Sequence, residues 1–283
     1  MPDAIKNDIS HCMEQVRRFD NDRYIASLFS PKDRLDHLFA LYAFNLEVAK
    51  TAEVVSEPMI GQIRLQWWRD ALTEIRKGKA RRHAVVQPLE RAIETYRLDP
   101  DLLEGLIDAR EFDLKRQAPK DLKALEAYAA ATSASLNQLA LTILGPVDPQ
   151  VIEAGRQLGK AWALTGLMRA IPFHAAQKRC FIPSDIATNE NLTLGDLFEL
   201  RPSRALSASL RPLWTAAQDF LENSQSLNRK AQKEGRGVFL LAKLCRLYLE
   251  RLDQAELNPF DDKVQRPLSG RTWRLFIANL MGF

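Results

Sequence analysis

An all-α chain is predicted by three features of the sequence. Glycine is scarce, 12 in 283 residues. No Asn-Gly or Asp-Gly pair sits between alternating apolar runs, so no hairpin is signalled. Apolar residues instead recur at three- and four-residue spacing over windows longer than a strand, punctuated by helix starts and stops.

The elements follow in order. Ser30-Pro31-Lys32-Asp33 offers a capping serine, a proline at the first helical position and an acid in the first turn. From Leu35, the residues Leu38, Phe39, Leu41, Tyr42, Leu46, Val48 and Ala49 are apolar on more than one face, the mark of a centrally buried helix. Further helices are predicted over roughly 60–77, 85–97, 100–116, 121–144, 149–173, 205–233, 236–254 and 271–281. Asp99-Pro100-Asp101 and Asp148-Pro149-Gln150 repeat the start signal, whereas Gly78 and Gly145-Pro146 read as stops. The stretch 176–204, with Pro183 and Pro202, is predicted as an irregular loop over one end of the bundle. No repeat or Pro/Gly/Ser-rich linker divides the chain, so a single domain over 1–283 is expected.

An apolar fraction of 46% and a charged fraction of 27% are those of a globular protein. A net charge of +4 suits an anionic partner, such as a phosphorylated ligand or an acidic membrane surface. Aromatic and basic residues do not interleave as in a stacking platform, which argues against nucleic acid. Cys12, Cys180 and Cys245 are odd in number and unpatterned, as in a reducing compartment. No apolar stretch approaches the ~20 residues of a membrane span, and no signal peptide is evident. A cytoplasmic protein is expected, or one peripheral on the inner face of the cytoplasmic membrane.

No Walker loop, HExxH, GxSxG or strand-borne GxGxxG is present. His11, His37, His83 and His174 show no metal-ligand spacing. Two segments carry the chemical information: Leu41 to Glu53, and Gly159 to His174 continuing through Arg179-Cys180-Phe181-Ile182-Pro183. With Tyr24, Ala26, Leu28, Phe29 and Arg34 before them and Asp108, Arg110 and Glu111 between, these resemble the squalene/phytoene synthase family over roughly residues 20–250. That resemblance implies the isoprenoid-synthase fold, a single-domain helical bundle around a central pocket. It also implies two aspartate-rich motifs that hold Mg²⁺ and diphosphate, because a departing polyanion needs its charge neutralised.

At the positions aligned with those motifs the sequence reads Ala49, Lys50 and Glu53, then Ala170, Phe173 and His174. One acid remains. Ala43 to Ala49, Ser56 to Trp68 and Arg169 to His174 are similar to a subgroup of the family, the mitochondrial complex I assembly factor 6 proteins. With no mitochondrial presequence in view, a bacterial relative of that subgroup is expected.

The resemblance therefore implies a non-catalytic binding or assembly factor of the complex I biogenesis type, with respiratory-complex partners and a prenyl or lipid ligand. No cofactor is expected. The competing reading is an active prenyltransferase on farnesyl or geranylgeranyl diphosphate, with Mg²⁺ held by other carboxylates from among Asp20, Asp22, Asp108, Glu111, Asp113 and Asp185. A third is a helical interaction module with no pocket.

Tyr42, Lys50, Arg169, Lys178 and Arg179 are candidates for an anion or ligand site, with protonated His174 as a further charge; ordinary paired or solvated positions are the alternative. Ile63, Trp67 and Leu72 are read as a core-facing stripe. Cys180 is read as a small buried hydrophobe. Trp273, Phe276, Ile277, Leu280 and Met281 cluster on one side of the last helix, either docked on the core or, with its arginines, placed on an anionic membrane.

Overall fold

A computed structural model describes residues 2–145, 148–225 and 235–281. Among them only helices and their connections occur. They are α1 (Pro2–Phe19), α2 (Asn21–Ser27), α3 (Lys32–Ala49), α4 (Thr51–Val54), α5 (Pro58–Arg76), α6 (Val86–Tyr96) and α7 (Pro100–Ala109). There follow α8 (Glu111–Leu114), α9 (Leu122–Ala129), a π-helical turn (Ala130–Ala134), α10 (Ser135–Leu144), α11 (Pro149–Arg169) and α12 (Ile171–Ala176). The chain continues with α13 (Ser184–Asn189), α14 (Leu194–Phe198), α15 (Arg204–Ser224), α16 (Arg236–Phe239), α17 (Leu241–Gln254), α18 (Asp262–Gln265) and α19 (Arg271–Met281).

Local chemistry sets these limits. Asp99 and Asp148 cap α7 and α11 by accepting the backbone N–H of Asp101 and Gln150. Gly78, at φ +66°, follows the end of α5 in the left-handed region that glycine enters freely. Ser30 is not the predicted cap: α3 begins after Pro31 with no side-chain cap. The helix predicted over 149–173 breaks at Ala170, two residues before Pro172, whose ring and missing N–H oppose an uninterrupted helix. Likewise 100–116 divides at Arg110. The stretch 176–204 holds two short helices, α13 and α14, rather than an irregular loop. The predicted helix 205–233 is seen to Ser224, and its last residues from 226 lie outside the described residues.

α3 runs through the core, with Leu38, Phe39, Leu41, Tyr42 and Phe44 all buried. α11 packs along α15 and also meets the π-helical turn, α10 and α17. Small residues make that approach close. A Cβ at Gly159 would stand 2.5 Å from Ala134 Cα and 2.6 Å from the Ser133 carbonyl oxygen, so backbone touches backbone there. In the π-helical turn the hydroxyl of Thr132 donates to the Tyr128 carbonyl, and just after it that of Ser135, at the start of α10, donates to the Ala130 carbonyl.

All three cysteines are free thiols, and Cys12 and Cys245 are fully buried. Cys12 donates to the Ala84 carbonyl, and Cys245 lies 3.3 Å from the Thr165 hydroxyl. Burial pushes both thiols up to about 12. Half-buried Cys180 is raised by the same cause.

Candidate functional site

The first candidate segment lies where α3 gives way to α4. Ala49 closes α3, and Lys50 is the cap, its N–H donating to the Leu46 carbonyl. The Lys50 ammonium sits 2.8 Å from the centroid of the Phe19 ring. Partial burial lowers its pKa, against the opposing pull of Glu47 and Glu53. Glu53 is exposed by surface area, yet protein crowds its carboxyl enough to raise its pKa by desolvation. Arg179 and Lys50 act against that rise. Arg179 and Lys50 thus share one carboxylate as neighbour.

The second segment is the break between α11 and α12. Ala170 is the link; Phe173 is 48% exposed rather than turned into the core. His174 is enclosed by Phe173 and by Phe181, whose ring centroid is 4.7 Å away. Its Nδ1 is buried without a hydrogen-bond partner. Burial, and then the nearby Arg179 charge, push its pKa down to about 4. At neutral pH His174 is uncharged, so the protonated form expected from the sequence is not the resting state.

Arg179 is buried and already engaged. It lies 3.5 Å from the Asp113 carboxylate and donates to the Asp113 carbonyl. Arg110 donates to the same carboxylate at 3.3 Å and to the Tyr128 hydroxyl at 2.7 Å, while that hydroxyl donates to Asp113 at 2.9 Å. Lys178, by contrast, is exposed, at φ +55°.

Arg169 belongs to a separate group. Its guanidinium lies 3.4 Å from the Tyr248 ring centroid, with Nε unpartnered and its pKa lowered by burial. Tyr248 donates to Asp22 at 2.6 Å, and Arg271 pairs with Asp22 at 2.6 Å. Tyr42 is buried with an unpartnered hydroxyl, pushed up to about 12 by burial. The Arg23 guanidinium lies 5.7 Å from both the Tyr42 and Trp162 rings. The five predicted anion-site residues do not form one group: Lys50 and Arg179 share Glu53 as a neighbour, Tyr42 and Arg169 have other surroundings, and Lys178 is exposed. Tyr128 and Arg23 join them without a motif that announces them; Asp113, named from the sequence only as an alternative carboxylate, stands three residues from Arg110, a spacing that hints at the pair.

The acids held in reserve are mostly matched by guanidinium. Asp20 pairs with Arg23 at 2.7 Å and Asp22 with Arg271. Asp108 and Glu111 both pair with Arg69, and Asp113 with Arg110 and Arg179. Asp185 accepts the Ile186 N–H. Mg²⁺ requires several hard oxygen ligands. Ala49, Lys50, Glu53, Ala170, Phe173 and His174 supply one carboxylate, and among the described residues no group of three or more His, Cys, Asp or Glu side chains could hold a metal ion. The donor set does not fit a Mg²⁺-diphosphate clamp.

A cleft of about 320 Å³ lies elsewhere, lined by Glu47, Ile63, Arg64, Trp67, Trp68 and His83. Ile63 is 63% exposed on its rim, so the predicted core stripe Ile63-Trp67-Leu72 is wrong at its first member; Leu72 is buried as expected, Trp67 packs half-buried against the core, and Leu65 and Trp68 are buried beside them.

Sequence comparison matches the squalene/phytoene synthase family over residues 16–274. The chain is 30% identical to bovine NADH dehydrogenase (ubiquinone) complex I assembly factor 6 over 256 residues, covering 90% of this chain and 77% of that protein. Identity to presqualene diphosphate synthase of Rhodopseudomonas palustris is 24%, over 74% of this chain and 75% of the enzyme. Among solved structures, a dehydrosqualene synthase superposes with a TM-score of 0.86 at 18% identity, covering 98% of this chain and 96% of that one. Squalene synthase HpnC from Alicyclobacillus acidocaldarius gives 0.78 at 19%, covering 92% and 98%. With the all-α bundle shared by these structures and a family match across nearly its whole length, the chain belongs to the squalene/phytoene synthase family.

Proposed function

We propose that this chain is a non-catalytic binding or assembly factor acting in respiratory complex I biogenesis. In this reading the family's two metal-diphosphate clamps have been lost at Ala49, Lys50 and Glu53 and at Ala170, Phe173 and His174. The observation that carries it is the pairing of most of the alternative carboxylates. Asp20, Asp22, Asp108, Glu111 and Asp113 each face a guanidinium. Asp20, Asp22 and Asp113, the largely buried ones, would each have to break an ion pair before ligating a metal, leaving an unmatched buried charge. The likeness to complex I assembly factor 6 of cattle, at 30% identity, supports the same reading.

Binding remains open to such a site. In this reading a prenyl or lipid ligand is oriented rather than cleaved, by the buried Tyr42 hydroxyl and Arg169 Nε, which have no hydrogen-bond partner.

The test uses a host that makes complex I. Deleting the gene is expected to deplete the assembled complex on native gels of its membranes, and re-expression of the chain with Glu53→Gln is expected to restore it. Purified protein with Mg²⁺ and farnesyl or geranylgeranyl diphosphate is expected to release no pyrophosphate. An unchanged assembly profile overturns the physiological role, and pyrophosphate release establishes the prenyltransferase reading instead.

A further inference from the structure

Helix α19 turns its larger apolar face away from the bundle. Its inner side is fixed by buried Leu275 and Ala278 and by the Arg271–Asp22 ion pair. On the other side Trp273, Phe276, Ile277, Leu280 and Met281 recur at three- and four-residue spacing and are 65, 41, 40, 69 and 73% exposed. The Trp273 and Phe276 rings stack at 5.4 Å. Single exposed apolar side chains are ordinary, but five in one stripe form a contact surface.

Positive charge borders that stripe. Lys243 and Arg246 of α17 and Arg274 of α19 line a cleft of about 230 Å³ together with Gln225, Ile277, Ala278 and Met281. Arg246 donates to the Gln225 amide oxygen and Arg274 to the Ser269 carbonyl, so both meet neutral acceptors. Among the described residues none of the three cations forms an ion pair with a carboxylate. α19 itself contains no acid.

We propose that this face docks on an anionic phospholipid bilayer, with α19 lying in the plane of the interface. Trp273, Phe276, Ile277, Leu280 and Met281 enter the boundary between headgroups and acyl chains, and Lys243, Arg246 and Arg274 meet lipid phosphates. An aromatic and aliphatic stripe flanked by charge of one sign is the chemistry of an interfacial helix. Eleven residues are too few to span a bilayer, and no described helix is long and apolar enough to do so. A second copy fits less well, because a two-fold contact through this face would bring two sets of these three cations together with no acid from α19 to offset them.

The experiment is co-sedimentation of the full chain with vesicles of phosphatidylcholine alone, or with about one third phosphatidylglycerol. Binding to the anionic vesicles and its loss near 0.5 M salt are expected, since screening weakens surface attraction. The double variants Trp273→Ser/Leu280→Ser, both exposed, and Lys243→Gln/Arg274→Gln, half-buried and exposed, should each weaken partitioning about tenfold or more. Their thermal midpoints should match that of the parent chain. Absence of partitioning into anionic vesicles, or partitioning that neither double variant alters, overturns the proposal. So does a dimer in sedimentation that Trp273→Ser/Leu280→Ser dissolves.

Discussion

His174 shows what one residue's surroundings do to its chemistry. An imidazole with an ordinary value of 6.5 is held at about 4 by burial and by Arg179. The unfolded chain therefore takes up this proton before the folded chain does. The stability associated with neutral His174 is complete above about pH 6.5 and is lost as pH falls from there through about 4. By pH 5 the loss is expected to be about 2 kcal/mol. Thermal midpoints at pH 7 and pH 5 should therefore differ more for the parent chain than for His174→Phe, which keeps the ring against Phe181 and removes the titration. Asp113 is the complementary case: its buried carboxylate is answered by two guanidiniums and a phenol, so its own negative charge is matched. That arrangement was not legible in the sequence, where Asp113 and Arg179 stand 66 residues apart.

At the level of elements, the long helices were readable and their interruptions only partly so. Spacing and proline-led starts located α5, α6, α7 and α11, because these signals are local. The breaks at Arg110 and Ala170 and the short helices α13 and α14 depend on what packs across them, which periodicity does not carry. α5 illustrates the same limit, since its apolar residues outnumber those the core can take and Ile63 is left outside. The contact of α11 with the π-helical turn has a sharper consequence. Gly159→Ala places a methyl group against the backbone of Ser133 and Ala134, so the helices must part. A destabilisation of about 1–3 kcal/mol is expected in urea unfolding. Gly166→Ala, on the same helix with nothing within 4 Å of its Cβ, should instead gain about 0.5–1 kcal/mol from the stiffer unfolded chain.

Across the whole molecule, family membership was legible because its motif segments lie on the buried helices α3 and α11, which the core constrains. The candidate site was legible only as residue identities. Ala49, Lys50, Glu53, Ala170, Phe173 and His174 could be named from spacing, but their partners come from distant parts of the chain. Tyr248 reaches Asp22 across 226 positions, and Arg271 reaches it across 249. Such closures tie α2, α17 and α19 together and place the C-terminal helix, with its apolar side outward, against the N-terminal part of the fold.

The three thiols turn this architecture into its own clock. Cys12 and Cys245 are protonated and sealed in separate parts of the core, while Cys180 sits nearer the surface beside the Asp113 network. A water-soluble alkylating reagent reaches the first two only when their surroundings open, because the reactive species is an accessible thiolate. In a time course followed by intact mass, Cys180 should be modified first. The other two should follow together at a rate that rises with urea in step with global unfolding. Separate rates for Cys12 and Cys245 would show that the α1 and α17 sides of the bundle open independently.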